Sequence, residues 1–220
     1  MKFIYSILAL GALLIQTSAF ADNLYQVTLL RAAPGNLPSL IDEVKHQKRK
    51  QNGNIVIMRH SQGDHWDLML LSPASETLPK PHRYDSLADF QHDFIAQTGA
   101  NWKAVKQKAD DAGLFHIEMF RAAAGKHQAL LEERHMENDY LVKTQRKANI
   151  IFVTRFGSDY DNFSVGFYKD MQAFAANPDL PAEAFEKAAK DAGFAARSDI
   201  GFHLRRYLVG HNDTLATQVK

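Results

Sequence analysis

Arg31-Ala32-Ala33-Pro34-Gly35 returns as Arg121-Ala122-Ala123-Ala124-Gly125, and the Leu40-Ile41 pair that follows returns as Leu130-Leu131 at the same offset of 90 residues. The echo continues along the chain. Asn54-Ile55-Val56-Ile57 corresponds to Asn149-Ile150-Ile151-Phe152, the stretch from Tyr84 to Phe90 to that from Tyr168 to Phe174, and Ala109-Asp110-Asp111-Ala112-Gly113 to Ala189-Lys190-Asp191-Ala192-Gly193. Solenoid repeats have periods of about 20 to 50 residues. A period near 90 residues therefore describes one fold unit written twice in tandem.

Each unit has a consistent pattern. Leu24 to Leu30 alternates and is rich in β-formers, so it reads as a strand. Arg31 to Gly35 is its exit turn, Asn36 is placed to cap the next helix, and Pro38 is tolerated in a first helical turn. Leu37, Leu40, Ile41 and Val44 then recur at helical spacing, and Lys45, Lys48, Arg49 and Lys50 suit the negative end of the helix dipole. Asn54 to Arg59 and Trp66 to Leu71 read as strands around the turn Gln62-Gly63-Asp64. A Pro-containing loop over 72–83 leads to Leu87, Phe90, Phe94 and Ile95, read as helical and broken near Gly99, after which Asn101 caps a helix that Gly113 stops.

The second unit follows the same order: strand Leu114 to Phe120, helix Lys126 to Lys143, strands Ile150 to Arg155 and Phe163 to Tyr168, helices from Lys169 and over Pro181 to Ala192, and a final strand Ile200 to Leu208. The domain boundaries are 22–113 and 114–210, with 211–220 as a tail. A β-α-β-β-α-β order is the split βαβ arrangement of ferredoxin-like domains, an antiparallel sheet with helices on one face. The fold class is therefore α+β.

This order, its twofold repetition, the helix broken before its last turns and the strand-turn-helix entry through Arg-Ala-Ala-x-Gly resemble the dimeric α+β barrel superfamily in its tandem, fused form. The resemblance covers nearly all of the chain after its amino-terminal segment and rests on topology. It implies two antiparallel sheets packed face to face as an intrachain barrel. Relatives include the antibiotic-biosynthesis monooxygenase-like group, stress-responsive barrel proteins, muconolactone isomerases and haem-handling chlorite dismutase relatives. Fold alone does not choose among these activities.

Alternation divides each strand between two faces. Tyr25, Val27 and Leu29, and likewise Phe115, Ile117 and Met119, are the more apolar sets and are expected to meet the helices. That sends Gln26, Thr28 and Leu30, and His116, Glu118 and Phe120, into the barrel. In the last strand Phe202 and Leu204 are expected under the helices and His203, Arg205 and Tyr207 inside. Enclosed polar groups are costly unless paired, hydrated or used. His116 and Glu118 are the expected catalytic pair, with Gln26, Thr28, Phe120, His203, Arg205 and Tyr207 lining a ligand cavity.

Other chemistry has weaker support. His60 and His65 flank a tight turn but lack a third ligand, and the second unit carries Arg155 and Tyr160 in those places, which confines any metal site to the first unit. His127, His135 and Met136 are candidates for axial haem ligation, with His127 and Met136 nine residues apart. No metal or cofactor is assigned, since there is no phosphate loop, no Gly-x-Ser-x-Gly, no His-Glu-x-x-His and no cysteine.

Lys2, the apolar run Phe3 to Ile15 and Ala19-Phe20-Ala21 read as an export signal over 1–21, with Asp22 starting the mature chain in the periplasm or outside the cell. The apolar run is shorter than the about 20 residues of a membrane span, so no membrane association is expected after cleavage. Removing Lys2 turns 26 basic residues into 25 against 25 acidic, which gives no steering towards nucleic acid. The leading reading is a small, partly aromatic molecule held in the barrel, with cofactor-independent monooxygenation or isomerisation. Its rivals are an interaction protein with a packed barrel, and haem or metal handling. Self-association into a homo-oligomer is left open.

Overall fold

The computed structural model describes residues 23–75 and 83–220; the expected export signal and the junction at Asp22 lie outside the described residues. In chain order the elements are β1 (Leu24–Ala32), α1 (Leu37–Lys50), β2 (Val56–Gln62), β3 (Leu68–Pro73), β4 (Ala88–Gln97), α2 (Trp102–Asp110), β5 (Leu114–Ala122), α3 (His127–Lys143), β6 (Ile150–Phe156), β7 (Asn162–Tyr168), α4 (Met171–Ala175), α5 (Ala182–Asp191), α6 (Ile200–Leu204) and β8 (Leu208–Gln218). The strands close a barrel in the order β1-β3-β2-β8-β5-β7-β6-β4. Each unit supplies a ferredoxin-like sheet, β4-β1-β3-β2 or β8-β5-β7-β6. The two join through the antiparallel pairs β2–β8 and β4–β6.

The repeated pentapeptide is a structural device. After each first strand the chain turns through Gly35 at φ +82° or Gly125 at φ +73°, a conformation that strains a residue with a Cβ. Arg31 Nε donates to Asp89 at 2.7 Å and Arg121 Nε to Asp159 at 2.6 Å. The next amide, Ala32 or Ala122, donates to Asp67 or Asp161 at 2.7 or 2.5 Å. The motif thus pins each strand end to its own unit.

The barrel interior is predominantly apolar. Tyr25, Val27 and Leu29 share one buried cluster with Val56, Met58, Met69, Phe94, Phe115, Ile117, Met119, Phe152, Phe163, Val165 and Ala216, which draws on all eight strands. Rings cross the barrel between units: Tyr25 meets Phe152 edge-on at 5.3 Å, and Phe94 meets Phe163 at 6.0 Å. Leu30, Ile57, Leu68 and Leu70 belong instead to a second cluster with Leu40 and Val44 of α1 and with Tyr84. The alternation is therefore inverted relative to the sequence reading. The apolar sets fill the barrel, and Gln26, Thr28, Leu30, His116, Glu118 and Phe120 face outward beneath the helices. Two sheets facing each other exclude water more completely than helices laid over an open face, so the interior claims the more apolar side of each strand.

Other expectations change as well. The segment carrying Phe90, Phe94 and Ile95 is strand β4, paired with β1 along its length. Phe90 and Phe94 are four apart, a spacing that satisfies both a helix and every second position of a strand. Ile200–Leu204 is helix α6, and the last strand is β8, so residues 211–218 complete the second sheet and are no tail. β8 is poor in β-formers but is paired on both sides, with β2 and β5. Two echoes also join unlike elements: Phe90 lies in β4 and Phe174 in α4, while α2 links the units and α5 lies between β7 and β8. Asn101 caps α2 by accepting from the Ala104 amide at 3.0 Å, whereas Asn36 makes no side-chain cap on α1.

Candidate functional site

The chemistry-bearing residues cluster on the outer face of the second sheet. β5 presents His116, Glu118 and Phe120 there, and register places Ser164 of β7 and Asp213 of β8 on either side of Glu118. Gly166 lies beside His116, and His211 beside Phe120. Helix α3 lies over this face. It carries buried Glu133 and Arg134 at positions where an apolar stripe would ordinarily close the gap.

Arg134 organises the layer. Its guanidinium lies 4.4 Å above the Phe120 ring, 2.6 Å from Glu133, 2.5 Å from Glu137 and 3.8 Å from Glu118. Ser164 Oγ donates to Glu118 Oε2 at 3.0 Å. His116 Nε2 stands 3.6 Å from Asp213 Oδ1, and His211 Nε2 stands 3.2 Å from the other Asp213 oxygen. The His211 ring in turn stacks on Phe120 at 5.7 Å.

His116, Glu118 and Glu137 line a half-open cavity of about 600 Å³, together with Asn149, Tyr168 and Phe174. Phe174 of α4 packs its ring 5.2 Å from that of His116 and 5.1 Å from that of Tyr168. Asp170 caps the short helix that carries Phe174 by accepting from the Ala173 amide at 2.8 Å. Gly166 makes the room: a Cβ there would come within 2.7 Å of the Tyr168 ring and 2.8 Å of Asn149 Oδ1. That Asn149 oxygen is buried and has no hydrogen-bond partner among the described residues. The cavity thus combines an aromatic wall, an unmet acceptor and an ionisable floor.

The electrostatics follow from burial among carboxylates. Burial alone lowers the His116 pKa, but its interaction with Asp213 and the charges of Glu118, Asp213 and Glu137 outweigh this, and the net direction is up. Burial, reinforced by Glu137, raises the Glu118 pKa against the opposing pull of Arg134 and His116. Burial pushes Glu133 up to about 7 even beside Arg134. Asp213 is held below the usual carboxylate range chiefly by His116. An imidazolium beside an ionised carboxylate can hold an anionic oxygen, and a buried carboxyl with a raised pKa keeps its proton to higher pH than a free one.

Of the expected site residues, the structure brings together His116, Glu118 and Phe120, on the helix side of the sheet. Gln26 and Thr28 occupy the matching positions of the first unit, where both donate to Asp93, at 3.3 and 2.5 Å. His203 and Tyr207 are not in the barrel: His203 Nε2 meets Tyr207 Oη at 3.1 Å around α6, where the His203 ring contacts Phe194. Arg205 is exposed at the end of α6. The histidines at the first hairpin do not form a ligand set, since His65 pairs with Asp64 at 2.6 Å and the His60 ring lies against Trp66 at 5.9 Å. Among the described residues, the group suited to a metal ion is His116, Glu118 and Asp213, in the second unit and not the first. His127 pairs with Asp161, His135 borders a different cavity, and Met136 packs near Phe194, so the haem candidates converge on nothing.

Sequence reasoning missed Asp213, His211, Arg134 and Glu137. A signal existed. His211-x-Asp213 has the same every-second spacing as His116-x-Glu118, and α3 reads Glu133, Arg134 and Glu137 where α1 reads Glu43, Val44 and Gln47.

The fold is a closed eight-stranded α+β barrel with both ferredoxin-like halves in one chain, as the resemblance to the dimeric α+β barrel superfamily implied. No protein-family profile and no curated protein matches the sequence. Among solved structures, an anthrone oxidase-like protein superposes with a TM-score of 0.63 at 12% identity, covering 90% of this chain and 92% of its own. A Fusobacterium nucleatum protein provisionally assigned as a monooxygenase gives 0.53 at 9% identity, with 91% and 94% covered. A protein provisionally assigned as a chlorite dismutase gives 0.52 at 12% identity, with 90% and 96% covered. At these identities the likeness is one of fold.

Proposed function

We propose that the chain binds a small, partly aromatic molecule carrying an oxygen function, and that it does so between the second sheet and helices α3 and α4. The single observation that carries this reading is the cavity of about 600 Å³, in which Tyr168 and Phe174 face the His116–Glu118 floor. Pockets of about 300 to 1,000 Å³ with apolar walls and a few convergent polar groups are the usual form of small-molecule sites. The aromatic wall would hold a ring, Asn149 Oδ1 would accept from a hydroxyl or amine, and His116 would hold an acidic oxygen. Deprotonation of such a molecule would prepare it for oxidation by dioxygen or for isomerisation, and oxidation is the class of activity that the oxidase-like and monooxygenase neighbours suggest.

We place this activity outside the cytoplasm, on the strength of the amino-terminal pattern ending in Ala19-Phe20-Ala21. No helix among the described residues is long and apolar enough to cross a membrane. Native mass spectrometry of protein purified from the periplasm tests both points. The expected result is a chain beginning at Asp22 that retains a small molecule, and that molecule is lost in His116→Ala and Phe174→Ala. A retained molecule unaffected by both substitutions would place the site elsewhere. The packed barrel and the exposed Phe202 and Val209 favour a second reading, in which the protein acts through contacts with other chains.

A further inference from the structure

We propose that His116, Glu118 and Asp213 form a binding site for one divalent first-row transition-metal ion. Two of the three ligands, His116 and Glu118, line the cavity described above, so the inference deepens that reading and names what polarises the bound molecule.

Geometry makes the site available. Glu118 and Asp213 face each other across β5 and β8, and His116 follows two residues along on the same face. One ligand atom from each of the three side chains can be chosen so that all lie within 4.8 Å of one another. Donors about 2.0 to 2.2 Å from an ion stand roughly 3 to 4 Å apart, so small side-chain rotations complete the set. Surrounding groups hold the ligands in place. Ser164 Oγ donates to Glu118, and His211 meets the Asp213 oxygen that His116 does not approach. Such partners fix ligand orientation in known metal centres. The cavity adjoins His116 and Glu118 and leaves coordination positions for water or a bound oxygen.

Charge supplies the reason for a cation. Glu118, Glu133 and Glu137 share one guanidinium, that of Arg134, and Asp213 adds a fourth carboxylate across the strand pair from Glu118. The first unit shows how the same position is satisfied without one. There Asp93, the register equivalent of Asp213, accepts from Thr28, Gln26 and Gln91, all neutral donors. In the second unit the cross-strand partner of Asp213 is another carboxylate, and the remaining neighbours are the histidines His116 and His211. Replacing neutral donors with a carboxylate and imidazoles removes a structural solution and installs a set of metal ligands. One imidazole with two carboxylates suits manganese, iron, cobalt or zinc.

The test uses the full exported chain, freed of metal with a chelator and titrated with Co²⁺, followed by visible absorption and calorimetry. One saturable equivalent with a d–d spectrum is expected. Glu118→Gln and Asp213→Asn should each weaken Co²⁺ by at least about 100-fold, and Ser164→Ala by about 10- to 100-fold, the range for groups that orient ligands. Asp213 has a side chain 55% exposed, so its variant keeps the test readable if Glu118→Gln does not fold. Absence of a saturable Co²⁺ signal, or a signal unchanged in Asp213→Asn, overturns the metal site. Phe174→Ala separates the two claims, because it should release the retained molecule and leave Co²⁺ affinity unchanged. Retention of a small molecule without Co²⁺ binding defeats only the metal. Co²⁺ binding with a cavity indifferent to Phe174→Ala defeats only the ligand reading.

Discussion

The two units place different chemistry at matching positions of one fold. On the outer face of the first sheet, Leu30, Leu68 and Leu70 pack with Leu40 and Val44 of α1 and with Tyr84 into a dry layer. The corresponding positions in the second unit hold Phe120, Asn162, Ser164, Leu130 and Arg134, and the layer opens into a cavity. The first helix closes its side with Gln47, which accepts from Tyr84 and Arg83 at 3.0 Å, where α3 carries Glu137. The barrel interior, by contrast, is apolar in both halves. Stability resides in the shared interior, and the outer sheet-to-helix layer is free to specialise.

Substitutions in the two layers should behave differently. The largest effects are expected inside the barrel and should be similar in the two units: Phe94→Ala in the first and Phe115→Ala in the second should each cost about 3 to 5 kcal/mol. Urea unfolding measures this, and a large asymmetry between the two would show that the interior is not shared. Arg134→Ala is expected to cost about 3 to 5 kcal/mol as well, because it leaves Glu133, Glu137 and Glu118 without their cation. Val44→Ala, at the matching position, should cost only about 2 kcal/mol as a lost apolar contact.

The next difference is pH-dependent. Glu133 has its pKa raised to about 7 in the folded chain, from 4.5. Its protonated form is favoured by folding, so its contribution is fully present below about pH 4.5 and is lost as pH rises through about 7. Unfolding free energy should fall over that window by on the order of 1 to 3 kcal/mol through this group. Glu133→Gln should flatten the curve; an unchanged slope in that variant would assign the pH dependence to another group. The matching Glu43 of α1 is only part-buried and accepts from Gln47 at 2.9 Å instead of from an arginine.

The smallest effects on stability fall on the site. His116 is half-buried with its ring against Phe174, and His116→Ala should cost no more than about 1 kcal/mol while releasing the retained molecule. Phe202→Ser, at a residue 71% exposed, should change stability by less than about 0.5 kcal/mol. Sedimentation of that variant reports whether this apolar surface joins copies of the chain.

Legibility in the sequence followed the strength of local signals. β1, β5 and α1 were readable because period-2 and period-3.6 patterns there do not compete, and α3 because it repeats α1 at an offset of 90 residues. β4 was not, since Phe90 and Phe94 fit both periods. β8 was not, since Val209-Gly210-His211-Asn212-Asp213 has little intrinsic strand preference and is held by its neighbours β2 and β5. His116 and Glu118 were found as a pair, but Asp213 and Arg134 reach them only through β8 pairing and α3 packing. His203, Arg205 and Tyr207 were drawn in by a Phe-His-Leu echo of Phe-His-Ile that falls on a helix.

Sequence alone determined the duplication, the Arg-Ala-Ala-x-Gly turn, the ferredoxin-like order of the strongest elements and the existence of two chemically distinct faces on β1 and β5. Each of these depends on residues close together in the chain or on repetition at a fixed offset. Tertiary structure alone decided which face is inside, because alternation labels the sides of a strand without saying what will cover either of them. Closure of the two sheets on each other made the interior the driest place in the molecule and took the apolar side. The polar side was thereby left under α3 and α4, where one copy of the unit sealed it with leucine and the other kept His116, Glu118 and Asp213 beside an open cavity.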